Sequence, residues 1–314
     1  MINRQLIRLK AIQVFYAYAI NKDATVSEAE KEFATSLERA HELYLYLLNF
    51  LIDIRQHAEV LAETIEARNK RLGLRIEASS AERVLANNKW LLTLTNNEEL
   101  LDYRNHHNDR TDEEIAVCRR LTSSFIEHED FLLYLKKENF SPEADQEVVR
   151  RLYKNLIAMS EDFDPLLEER SLYWNDDKAI IDTFVLKTIK RIRPDETGDQ
   201  PLLPAWGEEE DHKFALQLFH EAVQRKDESY ALIETFSSKK RELARTPFMD
   251  IVIMQVAIAE LLGVPEIPVS ITLNEYINVA KWYSTPQSAS YVNGMLDTIA
   301  KHLRENGRLM KSVN

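Results

Sequence analysis

TPFMDIVIMQVAIAELLGVPEIPVSITLNEYINVAKWYSTPQSASYVNGMLDTIAKHL, residues 246–303, is punctuated as three consecutive helices. Thr246-Pro247 offers a capping hydroxyl and then a proline suited to a first helical position, and Gly263 suits a left-handed cap. Between them Ile251, Val252, Ile253, Met254, Val256, Ile258, Leu261 and Leu262 leave almost no polar face, so this helix is predicted to be the axle of a core. Pro265 and Pro268 break the chain, after which Leu273, Tyr276, Ile277 and Ala280 share one face of a second helix. Thr285-Pro286 repeats the start signal, and Val292, Met295, Leu296, Ile299 and Leu303 mark the apolar face of a third. Asn293-Gly294 would ordinarily favour a hairpin turn. Here the helical period runs through the pair, so Asn293 is predicted to hydrogen-bond in helix packing and Gly294 to mark a close approach of another helix backbone.

Outward from this stretch the pattern stays helical. Asn3 to about Ile20 reads as one helix, and about Ser27 to Arg71 as a longer one whose Leu37, Leu43, Tyr44, Leu47, Leu48, Leu51 and Ile54 recur at spacings of three and four. Further helices fit 80–93, 112–137, 144–170, 177–193, 208–225 and 228–243, with Lys187, Lys190, Arg191 and Arg193 as cations suited to a helix C-terminus. Six glycines and nine prolines are few for 314 residues, the first proline is Pro142, and no run alternates as a half-buried strand does. The fold class is therefore all-α. PDETGDQPLLP, residues 194–204, is the clearest linker and places a boundary.

One cysteine, Cys118, excludes an internal disulfide, and it sits with Ile115, Leu121 and Phe125 as an ordinary buried thiol. No run is apolar long enough to span a membrane, and Arg4, Arg8 and Lys10 interrupt any signal-peptide pattern, so a cytoplasmic address is expected. A net charge of −12 argues against a protein that coats nucleic acid with its whole surface. Residues 1–22 nevertheless carry Arg4, Arg8, Lys10 and Lys22 with no acid, a small basic site on an acidic body. His106-His107 has no further ligand at metal spacing, His220-Glu221 lacks the second histidine of a zinc-protease helix, and the glycines are too dispersed for a phosphate loop. No catalytic group, metal or cofactor is implied, and an enzyme is not expected.

Asn274 to Ile299, NEYINVAKWYSTPQSASYVNGMLDTI, resembles the C-terminal signature of the NusB family, in which an Asn-Glu helix ending in Ala-Lys precedes a Tyr/Phe-Val-Asn-Gly-x-Leu-Asp helix. Asp250 to Leu262 is similar to the family's central helix, Ile267-Pro268 to its following loop, and Arg8 to Tyr16 to its first helix. The likeness implies an all-α bundle with a helical addition: residues 1–22 as the first helix, 206–314 as the remainder, and 23–205 either inserted into the bundle or forming a bundle of their own. It also implies a transcription antitermination factor that binds box A RNA of ribosomal leaders together with the ribosomal protein NusE, within an RNA polymerase antitermination complex. By position, Arg4, Arg8 and Lys10 match the family's basic RNA-binding region. Tyr16, Asp250 and Tyr291 match a surface shared by RNA and NusE. An arginine expected in the central helix is Gln255.

Single-stranded RNA needs cations for phosphate and flat side chains for bases. Arg4, Arg8, Ile12 and Tyr16 follow an i, i+4 strip, so charge and ring can lie on one track, against the plainer reading of a solvated helix end with a core tyrosine. Lys239, Lys240, Arg241 and Arg245, and Arg304, Arg308 and Lys311, are further basic runs that could replace the missing arginines or simply be solvated helix ends. Asn274 and Glu275 are expected to cap a helix start near Thr272. Two rival functions remain. One is a protein adaptor with the NusB fold and lost RNA affinity. The other is an RNA cytosine methyltransferase, for which the required glycine-rich α/β domain has no room.

Overall fold

A computed structural model describes residues 1–74, 80–107, 109–137, 140–160, 163–196, 198–237, 243, 245–283 and 285–309. The described residues form fifteen α-helices and no strand, only an isolated bridge between Ile2 and Trp206. None is long and apolar enough to cross a membrane. The chain divides into two compact units, Met1 with Arg39–Ala205, and Ile2–Glu38 with Trp206–Asn314. Helix α2 (Val26–Arg71) runs from the second of these into the first.

The unit of residues 39–205 contains the rest of α2, α3 (Ala81–Ala86), α4 (Lys89–Thr95), α5 (Glu98–His106), α6 (Asp112–Glu127), α7 (Glu129–Leu135), α8 (Pro142–Leu152), α9 (Asp164–Arg170) and α10 (Trp174–Arg191). Caps explain the interruptions inside the longer predicted segments. Asn88, Asn97 and Thr111 each accept a backbone N–H two or three residues into α4, α5 and α6, and His128 ends α6 and caps α7. After α8 the chain winds as a π-helix over Tyr153–Ala158. Aromatic rings fill the core, with Tyr46 against Trp174 at 5.0 Å and Phe50 edge-on to Phe163 at 4.9 Å. The 194–204 segment is pinned here. Asn97 donates to Asp199 and to the Gln200 carbonyl, Gln200 bonds both backbone groups of Arg193, and Leu203 N donates to the Tyr44 hydroxyl.

The other unit holds α1 (Arg4–Ile20), the start of α2, α11 (Glu209–Gln224), α12 (Lys226–Phe236), α13 (Phe248–Gly263), α14 (Val269–Tyr283) and α15 (Pro286–Glu305). Helix α13 is buried from Asp250 to Leu261, the axle expected from its composition. It packs against α1, α11, α12, α14 and α15. Thr285 caps α15 through Ser288 N with Pro286 at the first turn, but α13 starts at Phe248 with Pro247 as its N-cap and no side-chain cap bond.

The glycine expectations need correction. Gly263 has no positive φ; it leaves room for the Glu221 side chain of α11, whose carbon and oxygen atoms would lie 2.3–2.5 Å from an added Cβ. Gly294 has nothing within 4 Å of such a Cβ, and Asn293 beside it is exposed, so no helix backbone approaches there. Gly294→Ala should therefore stabilise the protein by about 0.5–1 kcal/mol, the helix-propensity gain, measured by urea unfolding. A loss of stability would mean that the exposed face of α15 is covered.

Candidate nucleic-acid interface

Helix α1 begins at Asn3, whose side chain accepts from Leu6 N, and buries Leu6, Ile7, Leu9, Ala11, Ile12, Val14 and Phe15 against α11 and α13. That packing decides which of its polar groups can reach a ligand. Arg8 is 2% exposed. Its Nε and Nη2 donate to the two oxygens of Glu260, both at 2.8 Å, and Nη1 lies 3.7 Å from Glu275. Glu260 also accepts from Thr272 Oγ1 at 2.8 Å and from the Tyr276 hydroxyl at 2.9 Å. Burial opposes the charge on Arg8, but the Glu260 bonds and the fields of Glu260, Tyr276 and Glu275 outweigh it and hold its pKa above the ordinary value.

Arg8 and Lys10, the latter 1% exposed, are therefore removed from the predicted RNA-binding track, and Ile12 between the basic end and Tyr16 is buried too. Arg4 keeps 42% of its side chain exposed while bonding Asp211 at 3.2 Å and lying over the Phe214 ring. Asp250 is likewise no surface group, being 1% exposed in the first turn of α13. Tyr291 is half-buried on α15, and its hydroxyl finds no hydrogen-bond partner among the described residues. Asn274 and Glu275 sit inside α14, which starts at Val269, so they do not cap it. Lys239, Lys240, Arg241 and Lys311 lie outside the described residues.

What remains accessible clusters at the far end of α1. Tyr16, half-buried, meets the Phe248 ring edge-on at 5.2 Å, and Phe248 is 38% exposed. Arg245, exposed, precedes Phe248 by three residues. Two residues after Tyr16, on another face of the helix, Tyr18 lies under Lys226 Nζ at 4.9 Å. Gln255, which stands where an arginine was expected, donates to the Lys226 carbonyl at 2.8 Å and so holds the start of α12 beside α13. Gln13 ties α1 to the end of α14 through the Tyr283 hydroxyl at 3.0 Å. Below Tyr18 opens a cleft of about 390 Å³ lined by Val14, Ala17, Asn21, Asp23, Glu28 and Glu32, among others. Its three carboxylates repel phosphate and suit a cationic protein segment.

Phe248, Tyr18 and Lys226 escaped the sequence reading because helical spacing groups only residues on one element, whereas Arg245 was read as part of a basic run that could replace the missing arginines. Tyr18 lies some 200° around α1 from Tyr16, and its cation is more than two hundred positions away. The NusB family model matches residues 185–301. The chain is similar to the transcription antitermination protein NusB of Koribacter versatilis (strain Ellin345), 38% identical over 96 residues that make up 31% of this chain and 65% of that protein. It is 36% identical over 99 residues to that of Salinibacter ruber (strain DSM 13855 / M31), covering 32% of this chain and 61% of the relative. It is 34% identical over 140 residues to that of Geotalea daltonii (strain DSM 22248 / JCM 15807 / FRC-32), covering 43% and 89%. The chain thus spans less than two thirds of the first two relatives, and no solved structure matches it.

Proposed function

The chain belongs to the NusB family, and from that premise we propose that it is a transcription antitermination factor that binds box A-type single-stranded RNA of ribosomal leaders together with NusE. The observation that carries this reading is the docking of α1 onto α11 and α13, which sets Tyr16 against Phe248 with Arg245 close by in sequence. Exposed aromatic edges next to a cation are what an unpaired base and its phosphate require. The acidic cleft beside Tyr18 supports a second ligand of opposite charge, and a small basic ribosomal protein has that charge. Such a factor works by binding, joining RNA and NusE to RNA polymerase, and its residues do no covalent chemistry. Burial and the nearby Asp53 push the Cys118 thiol up to about 12, far from a nucleophile's range.

Fluorescence anisotropy with a box A RNA, alone and with NusE, tests the proposal. Tyr16→Ala should weaken RNA binding about tenfold or more, the value of one stacked base. The logarithm of affinity should fall with that of salt at a slope of roughly −2 if three phosphates are contacted. Failure to bind RNA even with NusE present, while NusE itself binds, would favour the adaptor reading, which the burial of Arg8 and Lys10 makes the natural second choice.

A further inference from the structure

Trp282, near the end of α14, is 56% exposed and makes no hydrogen bond or ring contact among the described residues. Single exposed apolar side chains are ordinary on protein surfaces. What sets this one apart is its place. Two ties fix the flank of α14 on which it stands. Glu275 lies 3.7 Å from Arg8 Nη1, and the Tyr283 hydroxyl accepts from Gln13 at 3.0 Å, so α14 and α1 run in the same direction with long side chains bridging them. Trp282 follows Glu275 by two turns, which returns it to within roughly 20° of the same flank and about 10 Å further along. That is the level of Gln13, and Tyr16 with its Phe248 neighbour comes one turn later on α1. Trp282 therefore borders the same end of the unit as Tyr16.

The side chains around it are polar. Asn278 one turn back and Lys281 beside it are both exposed, as is Asn274 a further turn back, and Lys281 makes no ion pair within 4.0 Å among the described residues. Carboxylates are scarce at this end. Residues 9–20, 276–283 and 286–296 contain none, and Asp250 at the start of α13 is buried. The next carboxylate along α14 is Glu275, beside Arg8, and the next along α15 is Asp297, paired with Lys301 at 2.7 Å. Asp23 after α1 and Asp227 at the start of α12 each follow a lysine, Lys22 and Lys226. Lys281 and Arg245 are thus the cations of this end that no adjacent acid offsets.

We infer that Trp282 is a second base-stacking platform for single-stranded RNA, taking a nucleotide that flanks the one on Tyr16, with Asn278 bonding its base edge and Lys281 its phosphate. The inference rests on the RNA reading above and extends it to a position outside those that the family resemblance implies. Unpaired bases stack on flat side chains and bond through their edges to polar ones, while cations hold the backbone. A protein anchor has other surroundings. Hot-spot aromatics sit in well-packed patches that exclude water, whereas Trp282 has an amide and an ammonium beside it, and Ile271, the other exposed large apolar side chain of α14, is three turns away.

The test uses the full chain with NusE and a box A RNA extended on both sides, scanned with one abasic nucleotide at a time, and a strand of about twelve uridines for comparison. Trp282→Ala should weaken RNA binding about tenfold, the value of one stacked base, and Trp282→Phe, which keeps a flat ring, should weaken it less. One abasic position should cost the wild type as much as Trp282→Ala does and cost that variant nothing more. It should differ from the position that is silent in Tyr16→Ala. Lys281→Gln should lower the salt slope by about 0.7, one phosphate of a single strand. RNA should quench tryptophan emission in the wild type and much less in Trp282→Phe, since Trp90 and Trp174 are buried in the other unit and Trp206 is half-buried. Melting temperatures should not move, whereas a packing role would shift them and leave the abasic scan unchanged. Wild-type affinity in Trp282→Ala beside a loss in Tyr16→Ala overturns the platform and leaves the box A reading standing. Lost NusE binding with unchanged affinity for RNA alone would make Trp282 a protein anchor and overturn the platform likewise. Equal binding of box A and the uridine strand, weakened alike by Trp282→Ala, sinks the box A reading and retains the platform. No binding of either RNA overturns both.

Discussion

Replacing Glu260 with alanine should cost the fold about 3–5 kcal/mol, the usual effect of leaving one member of a buried ion pair behind. Four donor groups converge on that carboxylate. Arg8 uses two nitrogens, and Thr272 and Tyr276 add their hydroxyls, so alanine would strand a guanidinium and two hydroxyls in a place with no access to water. Arg8→Ala should cost a similar amount because it strands the carboxylate, although the two hydroxyls would still partly satisfy it. Arg8→Lys should be nearly as harmful, since an ammonium cannot present two parallel donors to both oxygens. Glu260→Gln keeps the shape and the hydroxyl acceptor while losing the charge, and should fall between wild type and alanine. Urea unfolding gives the sizes. Hydrogen exchange gives the place, with protection lost first in α1, α13 and α14. If Arg8→Ala instead lowered RNA affinity tenfold at unchanged stability, the buried pair would be the wrong description of Arg8.

The three closing helices were legible because each has its own punctuation and apolar face, and the all-buried composition of Ile251 to Leu262 identified the axle without any partner being known. The first helix was legible too, but the fate of its charges was not. Twenty-two residues without an acid look like a basic surface, and the acid that neutralises Arg8 lies 252 positions downstream on α13. A buried cation can be told from an exposed one only through its partner, and nothing local names that partner. Gly294 failed for a related reason, because a glycine inside a helical period carries no sign of whether space or contact lies beside it. The π-helical turn after α8 was invisible, since no residue type demands it. Tyr16 remained in place as an aromatic at an accessible edge, and its neighbour Phe248 came from a helix start that had been read only for its cap.

Glu114→Ala should destabilise the unit of residues 39–205 by about 3 kcal/mol, since it leaves a buried tyrosine hydroxyl and an arginine without their acceptor. Glu114 accepts from the Tyr46 hydroxyl at 2.7 Å, from Arg170 through Nε at 3.0 Å and Nη2 at 2.5 Å, and from the backbone N–H of Thr111 at 2.8 Å, while Arg110 lies at 3.5 Å. One side chain therefore closes the capping box of α6, anchors α9 through Arg170 and satisfies Tyr46 of α2. Burial pushes the carboxyl upward, but Arg170, the Thr111 N–H, Tyr46 and Arg110 together outweigh it and hold its pKa below the ordinary glutamate value. Its stabilisation is then complete above the unfolded value of about 4.3 and is lost as pH falls through the lower folded value. Asp53 behaves oppositely. Burial raises its pKa against the pull of Arg110 and Arg104, so the folded chain takes up that proton first and acid favours the fold at this position. In melting curves taken from pH 6 down to about 3, Glu114→Gln should be less stable than wild type at pH 6 and lose less on acidification, flattening the acid limb. Asp53→Asn should steepen it. Parallel acid limbs in all three proteins would show that neither carboxylate titrates differently in the folded and unfolded chains, and that the network holds α6 and α9 by hydrogen-bond geometry alone.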